Sequence, residues 1–321
     1  MSVKDFTKSM DALLVAFEDR LREVIRSEVE FVRLIEEDLV TAGGKRVRPR
    51  LALLASGAAG LSDDAAAINL ALAVELIHSA ALLHDDLIDN AETRRGVVAA
   101  FRKYGNAVSV LSGDYLLARQ MALLAEIGNI KLVALCAEAA RSLAEGEVLQ
   151  FQMAALGDYS LETYEKIIYG KTASLMQLAC EGAALVAGAP SVQCKALADF
   201  GALYGQAFQM RDDYLDLMGS AEVLGKPAGG DVREGKVTRI TLRLMEEYGR
   251  EVDAIFKRKG SQEGDIERLR QLAVESGADL EVTAAIRERV EQALAALRLL
   301  PHSSYRDELE ALARREVVRM S

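Results

Sequence analysis

Six aspartates carry the pattern best suited to chemistry. Asp85, Asp86 and Asp89 lie in HSAALLHDDLIDN, and Asp212, Asp213 and Asp216 lie in FQMRDDYLD. Both stretches read Asp-Asp-x-x-Asp, and both follow an apolar run. A carboxylate is costly to bury unpaired, so each triad asks for a cation. On a helix, positions four apart share a face. Asp85 and Asp89 therefore point the same way, as do Asp212 and Asp216, with Asp86 and Asp213 about 100° round the axis. The pattern offers hard oxygen ligands and no soft ones. That suits Mg²⁺, which is usually held by a few carboxylates plus water and substrate phosphates. If the two helices face each other across a bundle, their acidic ends make a mouth for a metal-bridged polyphosphate. One such triad is as readily a solvated helix end; two in one chain favour a site. A di-iron bundle would need a Glu-x-x-His pair on each of two helices; Glu75 and His78 make one, and His84 and His302 supply no second.

A phosphate site also needs positive charge. GGKRVRP, residues 43–49, sets Lys45, Arg46 and Arg48 before a helix start. Arg94 and Arg95 follow the first triad, and Lys171 and Thr172 stand mid-chain in YGKTASL. Lys226 and Lys236 lie in a Gly-rich stretch around Asp231. Any one of these is commonly a solvated surface charge. As a set, two basic groups beside two acidic ones suggest two diphosphates. Glycines near Lys45 and Lys226 let the backbone approach oxyanions closely.

The elements that must position these groups read as helices. The chain has 321 residues, 50% apolar and 27% charged, enough for a sizeable core. Ala and Leu dominate, Trp is absent, and the apolar period is helical throughout. Helices are expected over 3–26, 29–40, 49–58, 63–88, 95–104, 106–127, 129–155, 160–187, 190–217, 238–258, 262–276, 279–298 and 303–318. Pro49, Pro190, Pro227 and Pro301 fall near helix starts or in loops. Ser62 with Asp63 and Asp64 is a helix-start signal. Residues 218–238 form one long Gly-rich loop, expected to be mobile and to close on diphosphate and metal. No linker divides the chain, so residues 1–321 are read as a single domain.

The net charge of −10 argues against a nucleic-acid partner and suits a cytoplasmic protein. MSVKDFTKSM lacks the basic-then-apolar pattern of a signal peptide. No apolar run is expected to reach the ~20 residues of a membrane span. Cys136, Cys180 and Cys194 form neither a disulfide framework nor a zinc motif.

In this order along the chain, the residues resemble the trans-type polyprenyl diphosphate synthases. GGKRVRP resembles the family's Gly-Gly-Lys-Arg-x-Arg-Pro, and DDLIDNAETRRG its first aspartate-rich motif. GKTASL resembles the middle Lys-Thr motif, and FQMRDDYLD with GKPAGGD the second aspartate-rich motif and its trailing loop. The ending PHSSYRDELEALARREVVRM is similar to that of bacterial long-chain members. The family commonly continues Leu-Pro after the Lys-x-Thr of EGKVT; here Arg239 and Ile240 follow.

The resemblance implies an all-α bundle around a deep central cavity, the isoprenoid synthase fold, usually a homodimer. It implies head-to-tail condensation of isopentenyl diphosphate with an allylic diphosphate. Mg²⁺ would be held by Asp85, Asp89 and Asp212. Arg94, Lys171, Thr172, Lys226, Lys236 and Gln209 would hold the allylic diphosphate. Lys45, Arg48, His78 and Arg95 would hold isopentenyl diphosphate, although a lone histidine such as His78 is also commonly structural. Diphosphate leaves only when its charge is neutralised, and the allylic cation must be kept from water. The released diphosphate would take the final proton. Transient membrane contact would serve product release.

Product length would be set one helical turn below the first triad, at Ala80 and Ala81. Bulky aromatics there stop the chain early in the family; small residues let it grow. The two alanines favour hexaprenyl to octaprenyl products, with the floor deeper, at Met121. Close helix packing would also account for Ala-Ala. The competing readings are a short-chain farnesyl or geranylgeranyl synthase, another metal-dependent terpenoid enzyme, and a non-catalytic subunit of a heteromeric synthase. The intact Lys45, Arg48 and second triad speak against the second, and both intact triads against the third.

Overall fold

The computed structural model describes residues 3–41, 44–94, 97–157, 159–220 and 228–318. The helices are α1 (Val3–Ile25), α2 (Glu30–Thr41), α3 (Val47–Ala58), α4 (Asp64–Ile88), α5 (Ala100–Tyr104), α6 (Asn106–Ile127), α7 (Ile130–Leu156) and α8 (Leu161–Ile168). After a π-helical turn over Tyr169–Ala173 come α9 (Ser174–Val186), α10 (Ser191–Met218), α11 (Gly230–Glu234), α12 (Arg239–Lys257), α13 (Asp265–Ser276), α14 (Ala278–Leu297) and α15 (Ser304–Val318). Among the described residues the strands are β1 (Thr93–Arg94) and β2 (Val97–Val98), paired antiparallel.

Most expected helices form within a residue or two of their anticipated ends. Two differ in kind. Residues 95–104 do not make one helix: the β1–β2 hairpin precedes the short α5. The expected helix over 160–187 is broken by the π turn, which separates α8 from α9. The Gly-rich stretch carries α11, and its residues 221–227, Lys226 among them, lie outside the described ones.

Residue contacts cluster in two compact units. The first is Met1–Ala140, Leu178–Ala198 and Leu299–Leu309; the second is Arg141–Gln177, Asp199–Arg298 and Glu310–Ser321. In the first, α4 is the centre, packed by α1, α3, α5 and α6. Asp63 starts it, its carboxylate accepting the Ala66 N–H at 3.1 Å. Leu70, Leu72, Val74 and Leu76 on α4 are fully or almost fully buried. This corrects the expectation about apolar runs: α4 is long and apolar enough to cross a membrane by length and composition alone. Most of that run is buried inside the protein, as befits a helix apolar all round at a core's centre.

Arg46 ties this core to the chain entering α3. Its backbone is left-handed, with φ 45°. Its guanidinium bonds Glu18 of α1 and Glu75 of α4, each at 2.7 Å. The Glu75 side chain is 6% exposed, so it needs that cation.

In the second unit, α12, α13 and α14 pack together and α8 lies against α12. The core includes Leu244, Val252, Leu269, Leu272, Ile286 and Val290. The π turn sits where backbones nearly touch. A Cβ on Gly170 would lie 2.5 Å from the Ser142 carbonyl and 3.0 Å from the Gly146 Cα. A Cβ on Gly205 of α10 would lie 2.5 Å from the Ala173 Cα. Only glycine permits these crossings, which fix Lys171 and Thr172 between their neighbours.

Removing Arg46 leaves a buried carboxylate without its cation. Arg46→Ala is expected to lower the unfolding free energy by about 3–5 kcal/mol, read as a lower urea midpoint at unchanged m-value.

Candidate active site

The first triad ends α4. Asp85 is half-buried, Asp86 buried and Asp89 exposed. Asp89 is the C-cap residue, its N–H bonding the Asp85 carbonyl at 2.8 Å. A helix C-terminus already carries partial negative charge, so three carboxylates there raise the demand for a cation. Asp86 faces a small apolar cavity with Ile35, Leu39, Leu83, Val97 and Ala100. Arg102, which sequence reasoning passed over, braces the turn after Asp89: it bonds the Asn90 side chain at 2.9 Å and Glu92 at 2.8 Å.

The other groups assigned to this unit are placed as follows. Lys45 is exposed, and Arg48 is half-buried in the first turn of α3. Arg46 between them is spent on Glu18 and Glu75. His78 is half-buried on α4, two turns before Asp85. Arg94 pairs with Val97 in the hairpin; its side chain, and Arg95, lie outside the described residues. Ala80 is 1% exposed and Ala81 half-buried. Met121 is 67% exposed on α6. An exposed side chain does not floor a dry tunnel within the chain, so that expectation is corrected.

In the second unit a cavity of about 130 Å³ gathers Lys171, Gln209, Asp213, Asp231, Lys236 and Thr238, among others. A chain of hydrogen bonds runs along it. The Thr172 hydroxyl donates to Gln209 Oε1 at 2.5 Å, and Gln209 Nε2 donates to Asp213 Oδ1 at 2.7 Å. The Tyr164 hydroxyl donates to Asp213 Oδ2 at 2.7 Å. The π turn presents Lys171, whose ammonium bonds Gln150 at 3.0 Å and pairs with Glu147 at 2.7 Å. Lys236 pairs with Glu234 at 2.5 Å, and its N–H bonds the Asp231 carbonyl.

The three aspartates of the second triad have three different settings. Asp212 is 44% exposed and pairs with Arg211. Asp213 is fixed by Gln209 and Tyr164. Asp216 is buried and accepts the Asp231 N–H at 2.9 Å, which pins the start of α11 to the end of α10. Asp231, Tyr164, Gln150 and Glu147 were not among the sequence candidates. Only Asp231 had a visible signal, as an acid among glycines between two lysines. Arg239, the departure from the family pattern, bonds Glu165 of α8 at 2.8 Å. Thr238 still starts α12 through a reciprocal bond with Thr241.

Burial pushes the Asp213 carboxyl up to about 6, against the bonds from Gln209 and Tyr164 and with the help of Asp212 and Asp216. Burial, with Asp213 and Asp216, holds Asp231 well above the usual carboxylate range, while Lys236 opposes. Asp213 and Asp231 are thus buried carboxylates that resist ionisation beside further carboxylates, a setting that fits a divalent metal. No three His, Cys, Asp or Glu side chains among the described residues converge as a complete ligand set. Mg²⁺ commonly takes only one or two carboxylates and completes its shell with phosphate and water.

A helical protein with an acidic helix end in each unit and lysines beside the second has groups suited to a cation and to an oxyanion. Residues 30–273 match the Polyprenyl synthetase family model. The chain is 35% identical over 317 residues to an octaprenyl diphosphate synthase of Haemophilus influenzae, covering 98% of this chain and 96% of that protein. It is 38% identical over 301 residues to a geranyl-diphosphate-specific all-trans-nonaprenyl-diphosphate synthase of Rhodobacter capsulatus, covering 93% and 92%. A Caulobacter crescentus polyprenyl synthase, solved with calcium and isoprenyl diphosphate, superposes with a TM-score of 0.90 at 38% identity, covering 100% of this chain and 98% of the other. The chain belongs to the polyprenyl synthetase family and is a prenyltransferase with the all-α isoprenoid synthase fold.

The raised Asp213 pKa sets a sign for stability. The folded metal-free chain holds a proton that the unfolded chain releases near pH 4, so this group removes stability as pH rises from about 4 to about 6. In Asp213→Asn that component is gone. The melting temperature of Asp213→Asn relative to the parent, measured without metal, is therefore expected to rise between pH 4 and pH 7.

Proposed function

We propose that the protein uses Mg²⁺ to join isopentenyl diphosphate head-to-tail to an allylic diphosphate, giving all-trans hexaprenyl to octaprenyl diphosphate. The observation that carries the reading is the bonded run Thr172–Gln209–Asp213, with Lys171 and Lys236 on the same cavity. It supplies fixed carboxylate and ammonium groups where a diphosphate could be clamped.

In this reading Asp85, Asp89 and Asp212 are metal ligands. When bound, the metal neutralises diphosphate and so lowers the barrier to C–O cleavage. Lys171 and Lys236 add positive charge to the leaving oxygens, and Gln209 and Thr172 hold the geometry. Asp213 and Asp216 act beside them: Asp213 anchors the bonded run, and Asp216 pins α11. Lys45, Arg48 and His78 bind the second diphosphate. Arg94, Arg95 and Lys226 keep their assigned roles as diphosphate ligands. Ala80 and Ala81 leave room for a long apolar product, and their small size supports the long-chain reading, as do the long-chain names of the relatives above.

The two units are proposed to work as one catalytic domain, since the family match runs through residues of both. A homodimer in the cytoplasm completes the proposal. Support for the dimer is an exposed face of α6, where Leu111 and Met121 stand with Ala118, Ala122 and Ala125.

The test is a product assay with Mg²⁺, labelled isopentenyl diphosphate and farnesyl diphosphate, with dephosphorylated products sized by chromatography. Metal-dependent chains beyond geranylgeranyl are expected. Geranylgeranyl alone would overturn the long-chain reading, and no elongation with any allylic starter would favour a non-catalytic subunit. Asp85→Ala and Asp212→Ala are each expected to lower kcat by about 10²–10³-fold. Ala81→Phe is expected to shift products to shorter chains with turnover retained; an unchanged product ladder would remove Ala81 from the tunnel wall.

A further inference from the structure

Arg211, next to the second triad, takes no part in the roles above. Its side chain is only 3% exposed. A buried guanidinium needs counter-charge and acceptors for its five N–H groups. Arg211 has two carboxylates. Nε donates to Asp212 Oδ1 at 3.2 Å, and Nη2 donates to the same oxygen. Nη1 meets Glu316 Oε2 on α15. Glu316 is itself only 4% exposed, and its Oε1 accepts the Tyr204 hydroxyl at 3.1 Å. The guanidinium lies over the Phe208 ring, 4.6 Å from its centre. Asp212, at the far end of this arrangement, is 44% exposed.

We propose that Glu316 is a positioning residue for metal binding: through Arg211 it steers Asp212 and keeps that carboxylate's charge available to the metal. The inference rests on Asp212 being a metal ligand. Charge counting gives the reason. Arg211 paired with Asp212 alone would be neutral, and a metal would have to compete with an undivided guanidinium. Glu316 shares that cation, so the trio keeps a net negative charge. The geometry agrees, because both Arg211 contacts to Asp212 fall on Oδ1 rather than gripping both oxygens. Ring stacking and burial hold the guanidinium in one pose, so Asp212 is steered from behind by the last helix.

The test measures Mn²⁺ binding to the full chain by electron paramagnetic resonance, with inorganic diphosphate present. Glu316→Gln keeps the arm length and the acceptor for Tyr204 but removes the charge. Its Mn²⁺ dissociation constant is expected to rise about tenfold, the ratio that one lost shared charge contact typically gives. Tyr204→Phe removes a neutral bond to the same carboxylate. It is expected to lower the melting temperature while leaving Mn²⁺ affinity within about twofold of the parent. Parent-like Mn²⁺ binding by Glu316→Gln overturns the inference. Where Glu316→Gln fails to fold, Glu316→Asp is read instead, with a loss of about threefold or more expected from its shorter arm and parent affinity overturning the idea. Asp212→Ala separates the two levels. Weak binding by Asp212→Ala beside parent-like Glu316→Gln sinks only the role of Glu316. Parent-like binding by Asp212→Ala sinks the metal-ligand reading and this inference with it.

Discussion

Like charges held close together on helices that are otherwise aliphatic repel one another and resist burial. Each triad lives under that constraint, and most of the polar structure near them answers it. In the second triad each aspartate is met by a different kind of partner: a guanidinium for Asp212, an amide and a phenol for Asp213, a backbone N–H for Asp216. Three identical side chains thereby acquire three different degrees of freedom. Asp212 remains the most open to solvent, Asp213 is fixed on both oxygens, and Asp216 has become part of the chain's own scaffolding.

The cations divide along the same line. Arg46 lies between two residues read as diphosphate ligands, yet its charge is committed to Glu18 and Glu75. Spacing explains it: the left-handed turn at Arg46 sends that one side chain into the core. Arg239 is similar, since its bond to Glu165 joins α12 to α8 next to Tyr164 and Thr238, both on the cavity wall. In contrast, Lys171 and Lys236 reach the cavity with flexible arms, Lys171 pairing with Glu147 and Lys236 with Glu234. An ammonium on such an arm can exchange one oxyanion for another at little cost in reorganisation.

The helices were legible because the apolar period is sustained and prolines avoid helix interiors. The triads were legible because carboxylates in apolar runs stand out. What could not be read depends on tertiary contact. The π turn lies at backbone crossings made by Gly146, Gly170 and Gly205, which no local pattern announces. Asp231 joins the second site through a bond from its N–H to Asp216, and Glu316 reaches Arg211 from the last helix. The position of Met121 on the helix after the first triad does not report which face of α6 it occupies. Glu75 and the histidines interrupt the run in α4, while its overall composition remains strongly apolar.

The π turn has a consequence for how this sequence can change. One extra residue is stored within an otherwise continuous helical path, so deleting any single residue of Tyr169–Ala173 would leave a well-formed α-helix. Such a deletion would keep the downstream faces in phase with α8, because the wider turn had already absorbed the extra residue. Leu175, Met176 and Ala179, all completely buried, would keep their side of the helix. The same deletion inside α8 or α9 has no slack to draw on and would rotate every later residue of that helix by about 100°. Chain length is thus negotiable at this turn and fixed on either side of it.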